Sequence, residues 1–175
     1  HQLLPTIRSR CLTHTMSWPE QGPALAWLQS QGLASDIATV ALQATGGRPG
    51  DALRLAQEGN GATVNAWPKL PVALAKGDVA ALAAFAAPQA VAVLQKICHD
   101  LMSMAAGAAP RYFDASNLPS KPIAMQLLQS WATELKNAAR TAEHPFNAGL
   151  MHEALAARAR EVLTSGRAAA KAQRR

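Results

Sequence analysis

The stretch SDIATVALQATGGRPGDAL, residues 35–53, decides how this chain folds. Its first half has apolar residues at helical spacing, and Ser35 or Asp36 is expected to cap the start of that helix. Gly46-Gly47 then interrupts the pattern, and a second helical pattern begins near Asp51. The stretch therefore predicts two helices joined by a tight glycine turn.

Another helical pattern precedes this stretch. Ser17, with Glu20 three residues later, predicts a helix start, and Gly32 predicts its end. The helix that begins near Asp51 is expected to end at the break over residues 59–61. Residues 18–61 are thus expected to form a bundle of three short helices, which is too small to be very stable alone.

Helical patterns also dominate the rest of the chain, because alanine and leucine are abundant and runs of β-branched residues are absent. After a segment rich in proline, glycine and serine, residues 107–122, a helix is predicted over residues 123–142. Asn147 is expected to cap a last helix, with Phe146 packed on Met151. Residues 167–175 are expected to form a frayed basic tail, and the predicted fold class is all-α.

The start of the chain is the exception. Residues 3–7 and 11–16 alternate like the end of one strand and a second short strand. Residues 1–17 are therefore expected to be a remnant of a larger α/β unit. The chain also begins at His1 without a methionine, as we expect of a fragment.

The charge of the chain is concentrated at its two ends. The formal net charge is +6, yet residues 11–166 carry eleven basic and eleven acidic side chains. Arg8 and Arg10 supply two of the excess charges, and residues 167–175 supply the other four. A basic end can meet phosphate backbones, but this balanced body is unlike the basic stripe of a dedicated DNA-reading surface.

Composition excludes several classes of protein. With 49% apolar residues the chain can build a core, which excludes disorder for most of it. Its longest apolar stretch, residues 79–94, is mostly alanine and falls short of the ~20 strongly apolar residues that span a membrane. The basic start is not followed by the apolar run of a signal peptide, and a cytoplasmic location is expected. Since Cys11 and Cys98 also lie far apart in the sequence, free thiols are expected.

Most catalytic motifs are absent from the sequence. No glycine is followed by lysine, so the phosphate-binding loop of nucleotide hydrolases is missing. His152 begins a zinc-protease-like pattern, but Ala156 replaces the second histidine, so we interpret His152 as a surface residue and predict no metal site. Cys98 and His99 are adjacent on a predicted helix and point ~100° apart, which argues against a catalytic dyad.

Four tryptophans at apolar helical positions are predicted to be core residues: Trp18, Trp27, Trp67 and Trp131.

Three motifs together resemble one family. The run Leu3-Leu4-Pro5-Thr6-Ile7-Arg8-Ser9-Arg10-Cys11 is similar to an element of clamp-loader subunits of the AAA+ class. Residues 46–53 are similar to the helix opening of that family's lid domain, and residues 147–155 to the final helix of its collar domain. The resemblance implies an ATPase-like remnant (1–17), a three-helix lid (18–61), a helical oligomerisation collar (62–166) and a basic tail (167–175).

The resemblance implies a function that another subunit completes. Arg10 would be an arginine finger acting in trans on ATP held by a neighbouring subunit, where a rigid guanidinium fork stabilises the departing phosphoryl group. Ser9 and Cys11 would be small supports that set the backbone of Arg10 and fill space beneath the strand end. The chain itself would bind no cofactor or metal and would be no enzyme on its own. Its implied partners are other clamp-loader subunits and, through them, the sliding clamp and primed DNA, with no membrane involved.

One position differs from the ATP-hydrolysing members of the family. In those members an arginine directly before Asp-Ala-Leu contacts the nucleotide, whereas here that position is Gly50, and Arg48 lies two residues too early. We interpret Arg48 as a surface or capping residue, and Gly50 favours a non-hydrolysing subunit. Two alternatives remain: the C-terminal part of an ATP-hydrolysing motor subunit, or a helical interaction domain with a basic nucleic-acid-binding tail.

Overall fold

The computed structural model describes residues 4–12, 14, 17–143 and 147–172. Over these residues the fold is helical without a strand, which confirms the predicted all-α class. Short 3-10 segments at Glu58–Gly61, Trp67–Lys69 and Ala115–Asn117 connect some of the helices. The α-helices are α1 (Pro5–Arg8), α2 (Gln21–Ser30), α3 (Ser35–Ala44), α4 (Pro49–Gln57), α5 (Ala62–Ala66), α6 (Leu70–Lys76), α7 (Ala80–Ala83), α8 (Ala87–Ala105), α9 (Met125–Thr141) and α10 (Ala148–Ala172).

The N-terminal segment differs from the sequence-based prediction. Residues 5–8 form α1 and not the end of a strand, because Pro5 at the first helical position has a φ suited to a helix and lacks only an N–H that would be unpaired there. Residues 9–12 form no strand either, and residues 13, 15 and 16 lie outside the described residues. The expected remnant of an α/β unit is therefore wrong for the described part of this segment.

Glycine turns end two helices where the sequence predicted. α2 ends before Gly32, and α3 ends before Gly46 and Gly47, all of which have positive φ. At the end of α3 the Gly46 N–H donates to the Gln43 carbonyl and the Gly47 N–H to the Leu42 carbonyl, both at 2.9 Å. These bonds satisfy carbonyl groups that the helix end would otherwise leave unpaired.

The predicted starts of α2 and α3 differ from the starts in the structure. α2 begins at Gln21, with Glu20 and not Ser17 as its N-cap, because a residue before proline, here Trp18, disfavours the helical conformation. α3 has Ala34 as its N-cap, so the predicted capping by Ser35 or Asp36 is wrong.

The predicted cap of the last helix is confirmed. The Asn147 side-chain oxygen accepts the N–H groups of Gly149 at 3.0 Å and Leu150 at 3.3 Å. The predicted contact of Phe146 with Met151 lies outside the described residues. α10 continues to Ala172, so the backbone remains helical beyond Gly166, where a frayed tail was expected.

Buried apolar side chains form two clusters. The smaller cluster lies among α2, α3, α4 and α5, and the three helices predicted for residues 18–61 do pack on one another. The larger cluster is built mainly by α6, α8, α9 and α10, where α8 packs along α9 and α10 packs along α6. Val40 and Leu55 contact both clusters.

The tryptophans divide between these clusters and the surface. Trp67 and Trp131 are buried as predicted. Trp18 is 63% exposed and Trp27 is 41% exposed, so the core prediction is wrong for both.

Among the described helices, none combines the length and the apolar character that a membrane crossing requires.

Candidate functional site

Ser9 and Arg10 lie in the turn that ends α1. The Ser9 N–H donates to the Pro5 carbonyl at 3.0 Å, and its hydroxyl donates to the Thr6 carbonyl at 3.1 Å. The Arg10 N–H donates to the Ile7 carbonyl at 3.1 Å. Local hydrogen bonds therefore fix the backbone on which the Arg10 side chain is carried.

The side chain of Arg10 is exposed. Within the described residues it makes no hydrogen bond or ion pair, whereas the arginines in ion pairs are Arg48, Arg54 and Arg158. Cys11 is also exposed, and no strand of the described chain lies above it. In this chain Cys11 therefore does not fill space beneath a strand end, which corrects that detail of the expectation.

Arg48 and Gly50 lie at the start of α4. Arg48 is the N-cap residue, and its Nε donates to the Thr45 carbonyl at 3.0 Å and pairs with the Asp51 carboxylate at 3.0 Å. Asp51 also pairs with Arg54 on the next turn. Gly50 is exposed, and a Cβ added to it would meet no atom within 4 Å. Arg48 therefore ties the turn to α4, while the space around Gly50 is open.

Two further cations reach the end of α3 from the part of the chain that forms the larger apolar cluster. Lys96 on α8 donates from Nζ to the Ala44 carbonyl at 2.8 Å. Arg111 donates from its guanidinium to the Gly46 carbonyl at 2.7 Å. Because a helix C-terminus carries partial negative charge, these contacts stabilise the end of α3 and connect it to the larger cluster. We call this arrangement of Arg48, Lys96 and Arg111 around residues 44–46 the α3–α4 junction.

Two aromatic rings lie close to Lys96 at the junction. Its Nζ lies 4.9 Å from the ring centroid of Trp67 and 5.6 Å from that of Tyr112, within the range of cation–π attraction. The Trp67 ring in turn stacks on Phe113 at 5.0 Å and donates its N–H to the Tyr112 carbonyl at 3.0 Å. Burial lowers the pKa of Lys96 below its usual value, and the nearby positive charge of Arg48 lowers it further.

A buried carboxylate, Asp100 on α8, holds the segment that carries Arg111. It accepts the backbone N–H groups of Arg111 at 2.9 Å and of Tyr112 and Phe113 at 2.8 Å. Its fourth contact is with His99 Nδ1 at 3.1 Å. Sequence analysis missed this residue, although an aspartate directly before the apolar pair Leu101-Met102 of a predicted helix was a signal for a buried, hydrogen-bonded carboxylate.

Cys98 and His99 do not form a dyad. The Cys98 thiol is buried and donates to the Leu128 carbonyl at 3.4 Å, while the half-exposed His99 ring meets Tyr112 edge-on at 5.3 Å. Burial raises the pKa of the Cys98 thiol to about 11. His152 is partly exposed, as its interpretation as a surface histidine requires, but its Nε2 is buried without a hydrogen-bond partner among the described residues.

The structure brings only some of the predicted site residues together. Arg48 and Gly50 share the start of α4, whereas Ser9, Arg10 and Cys11 lie in the N-terminal segment, and no hydrogen bond or ion pair of the described residues joins the two. In the part of the chain that the structure describes, no three His, Cys, Asp or Glu side chains are grouped so as to hold a metal ion.

Comparisons with known proteins leave the family of this chain open. No protein-family model matches the sequence, and no curated protein matches it either.

Proposed function

We propose that this chain is the non-hydrolysing delta-prime subunit of the bacterial DNA polymerase III clamp loader, or a part of it. It would donate Arg10 in trans to ATP bound by a neighbouring tau/gamma subunit. Residues 18–61 would be its lid, and residues 62–166 would be the collar that joins tau/gamma and delta subunits in a ring. The assembled ring would load the sliding clamp onto primed DNA during replication.

The observation that carries the proposal is the combination of a fixed backbone and an exposed side chain at Arg10. Its backbone is fixed by the turn after α1, while its guanidinium is exposed and has no partner in the described chain. An arginine finger needs both properties, because its fork must be held in place and must be free to meet oxygens of another subunit's nucleotide. The Ser-Arg-Cys resemblance supplies the identity of that nucleotide as ATP.

The start of α4 supports the non-hydrolysing assignment. Gly50 offers no side chain where the motor subunits place an arginine, and Arg48 is engaged with Thr45 and Asp51. This chain therefore lacks the charged group with which a hydrolysing subunit would contact its own nucleotide. The alternative of a tau/gamma motor fragment is disfavoured on this ground.

Exposed apolar side chains support a partner near the N-terminal segment. Among the described residues up to position 27, the large apolar side chains that face solvent are Leu4, Ile7, Leu12, Trp18 and Trp27. Large apolar side chains exposed at several positions of one segment fit a surface that other protein elements cover. Further chain of the same subunit or a neighbouring subunit would cover these residues in the ring.

The remaining alternative is a helical interaction domain with a basic nucleic-acid-binding tail. One observation favours this alternative: α10 continues to Ala172, so the basic residues 167 and 171 belong to a helix. Truncation after Gly166 separates the two proposals. The alternative predicts loss of DNA binding, whereas the clamp-loader proposal predicts that ring assembly survives.

The test is Arg10→Ala in the full-length protein, assembled with its own motor and delta subunits. We expect normal assembly, with DNA-stimulated ATP hydrolysis and clamp loading reduced by a factor of about 10³ or more at the site that Arg10 serves. Arg10→Lys is expected to recover little, because an ammonium cannot bond two phosphate oxygens as a guanidinium fork does.

Arg8→Ala is the matched control, since it removes the same charge two residues away. It should leave hydrolysis close to the unsubstituted rate. Equal rates for the Arg10→Ala and unsubstituted complexes would remove the arginine finger from the account.

A further inference from the structure

A groove lies between α6 and α10, far along the sequence from Arg10. Its third wall is the turn over residues 117–121, and its volume is about 360 Å³. Leu118 and Leu163 are buried side chains that contribute to its lining. We call this feature the basic groove.

The charged residues that line the basic groove are all cations. Lys76 and Lys121 line it, and no acidic side chain does. Arg160 lies beside it, because its side chain crosses Gly77, the residue after Lys76: its Cδ is 2.9 Å from the position of a Cβ on Gly77, closer than real Cβ contacts. The glycine therefore makes room for the arginine next to a lysine of the groove.

Neutral donors add to these charges. Asn117 and Ser120 line the groove, and the backbone N–H groups of Ser120 and Lys121 have no acceptor within the described chain. Thr164 is not one of these donors, since its hydroxyl already donates to the Arg160 carbonyl at 2.7 Å. Asn117 and Ser120 thus add polar side chains to a lining that also holds Lys76 and Lys121.

The cations of the groove differ from those of the α3–α4 junction. Arg48, Lys96 and Arg111 all donate to backbone carbonyls of the chain itself. The side chains of Lys76, Lys121 and Arg160 make no hydrogen bond or ion pair within the described residues, although the Arg160 backbone carbonyl accepts from Thr164. Positive charge held together without internal acceptors is relieved when a polyanion binds.

We propose that the basic groove binds the phosphate backbone of duplex DNA. No aromatic side chain lines the groove, so it offers no stacking platform of the kind that single-strand binders use. Cations and neutral donors without stacking or acidic groups fit phosphate oxygens and read no sequence. This binding goes beyond the proposed function and does not involve Arg10.

The test measures binding of a labelled duplex of about two helical turns to the full-length chain over a salt series. The groove variant carries Lys76→Ala, Lys121→Ala and Arg160→Ala. We expect its affinity to fall at least about tenfold for every duplex sequence, and the slope of log K against log salt to become shallower by about 2 to 3. Circular dichroism checks that the variant is folded, and Lys121→Glu alone serves as a second, single-site variant.

The control variant carries Lys69→Ala, Lys136→Ala and Arg140→Ala, three exposed cations of the same types outside the groove. It should bind the duplex nearly as well as the unsubstituted chain. Equal losses for the groove and control variants would overturn the proposal, as would absence of duplex binding. Tighter groove-dependent binding of a single strand, or of polyglutamate as an acidic-polypeptide probe, would overturn it too. If duplex binding depends on the groove but Arg10→Ala leaves hydrolysis unchanged, the groove assignment stands and the clamp-loader proposal fails.

Discussion

Two arginines of this chain occupy turns that follow a helix, yet their surroundings differ completely. Arg48 follows α3 and meets the Thr45 carbonyl and the Asp51 carboxylate, while Arg10 follows α1 and meets no acceptor in the described residues. The turn geometry fixes the backbone in both cases. The difference shows that packed neighbours decide whether such an arginine serves its own chain or is available to another molecule.

The largest effect is expected from the carboxylate that supports the α3–α4 junction. Asp100→Ala leaves three backbone N–H groups without their buried acceptor and should lower the free energy of unfolding by about 3–5 kcal/mol. Urea denaturation measures the change. Asp114→Ala is the control, because that exposed carboxylate bonds only Ser116 and its loss should cost at most about 1 kcal/mol. Similar losses in both variants would mean that Asp100 does not hold the junction together.

The two thiols extend the comparison to reactivity. At pH 8 an exposed-thiol reagent should label Cys11 at least about 100 times faster than Cys98, which is buried and whose pKa is raised to about 11. Because this folded-state pKa exceeds the reference value of 9.0, the contribution of Cys98 to stability is present below pH 9 and is lost as the pH rises through 11. The Cys98→Ala variant should not show this loss of stability at alkaline pH. Comparable labelling rates in the folded chain would contradict the buried position of Cys98.

Gly46, in the turn after α3, and Gly50, in the first turn of α4, should respond to alanine substitution in opposite directions. Gly46→Ala places a side chain at φ +65° with Arg111 and Tyr112 atoms 2.8 Å from its Cβ, and should cost about 2 kcal/mol of unfolding free energy. Gly50→Ala lies in open space within α4 and should stabilise the chain by about 0.5 kcal/mol. Thermal unfolding of both variants checks this. A tolerated Gly46→Ala would show that the contact with Arg111 is loose.

The smallest effect compares the arginines directly. Arg111→Ala removes the bond to the Gly46 carbonyl and should cost about 1 kcal/mol. Arg10→Ala should change the free energy of unfolding by less than about 0.5 kcal/mol, since its side chain makes no contact of this kind in the described residues. If Arg10→Ala destabilised the folded chain as much as Arg111→Ala, Arg10 would be a structural residue.

The sequence predicted features that depend on local chemistry. Gly32 and Gly46-Gly47 end helices because only glycine adopts positive φ readily, and Asn147 caps α10 because its side chain reaches nearby N–H groups. The start of α2 was misplaced because the proline after Trp18 outweighs the capping preference of Ser17. The expected strand end failed over the described residues 4–7, because this short stretch also fits a helical turn that begins with proline.

Features that depend on distant contacts were not predictable in the same way. Lys96 meets Ala44 across 52 positions of sequence, and Asp100 meets residues 111–113 from a different element. Trp18 and Trp27 have the residue type of a core but lie on a surface, since the sequence pattern does not say which apolar face is covered. The candidate site was found by resemblance at Arg10 and Gly50, whereas the junction and the basic groove required the structure.

The most direct measurement of the central claim is the structure of the assembled complex with a non-hydrolysable ATP analogue. The account predicts that the guanidinium of Arg10 lies about 2.7–3.2 Å from γ-phosphate oxygens of a nucleotide that the neighbouring subunit binds. An Arg10 side chain that remains in solvent, away from every nucleotide of the complex, would contradict it.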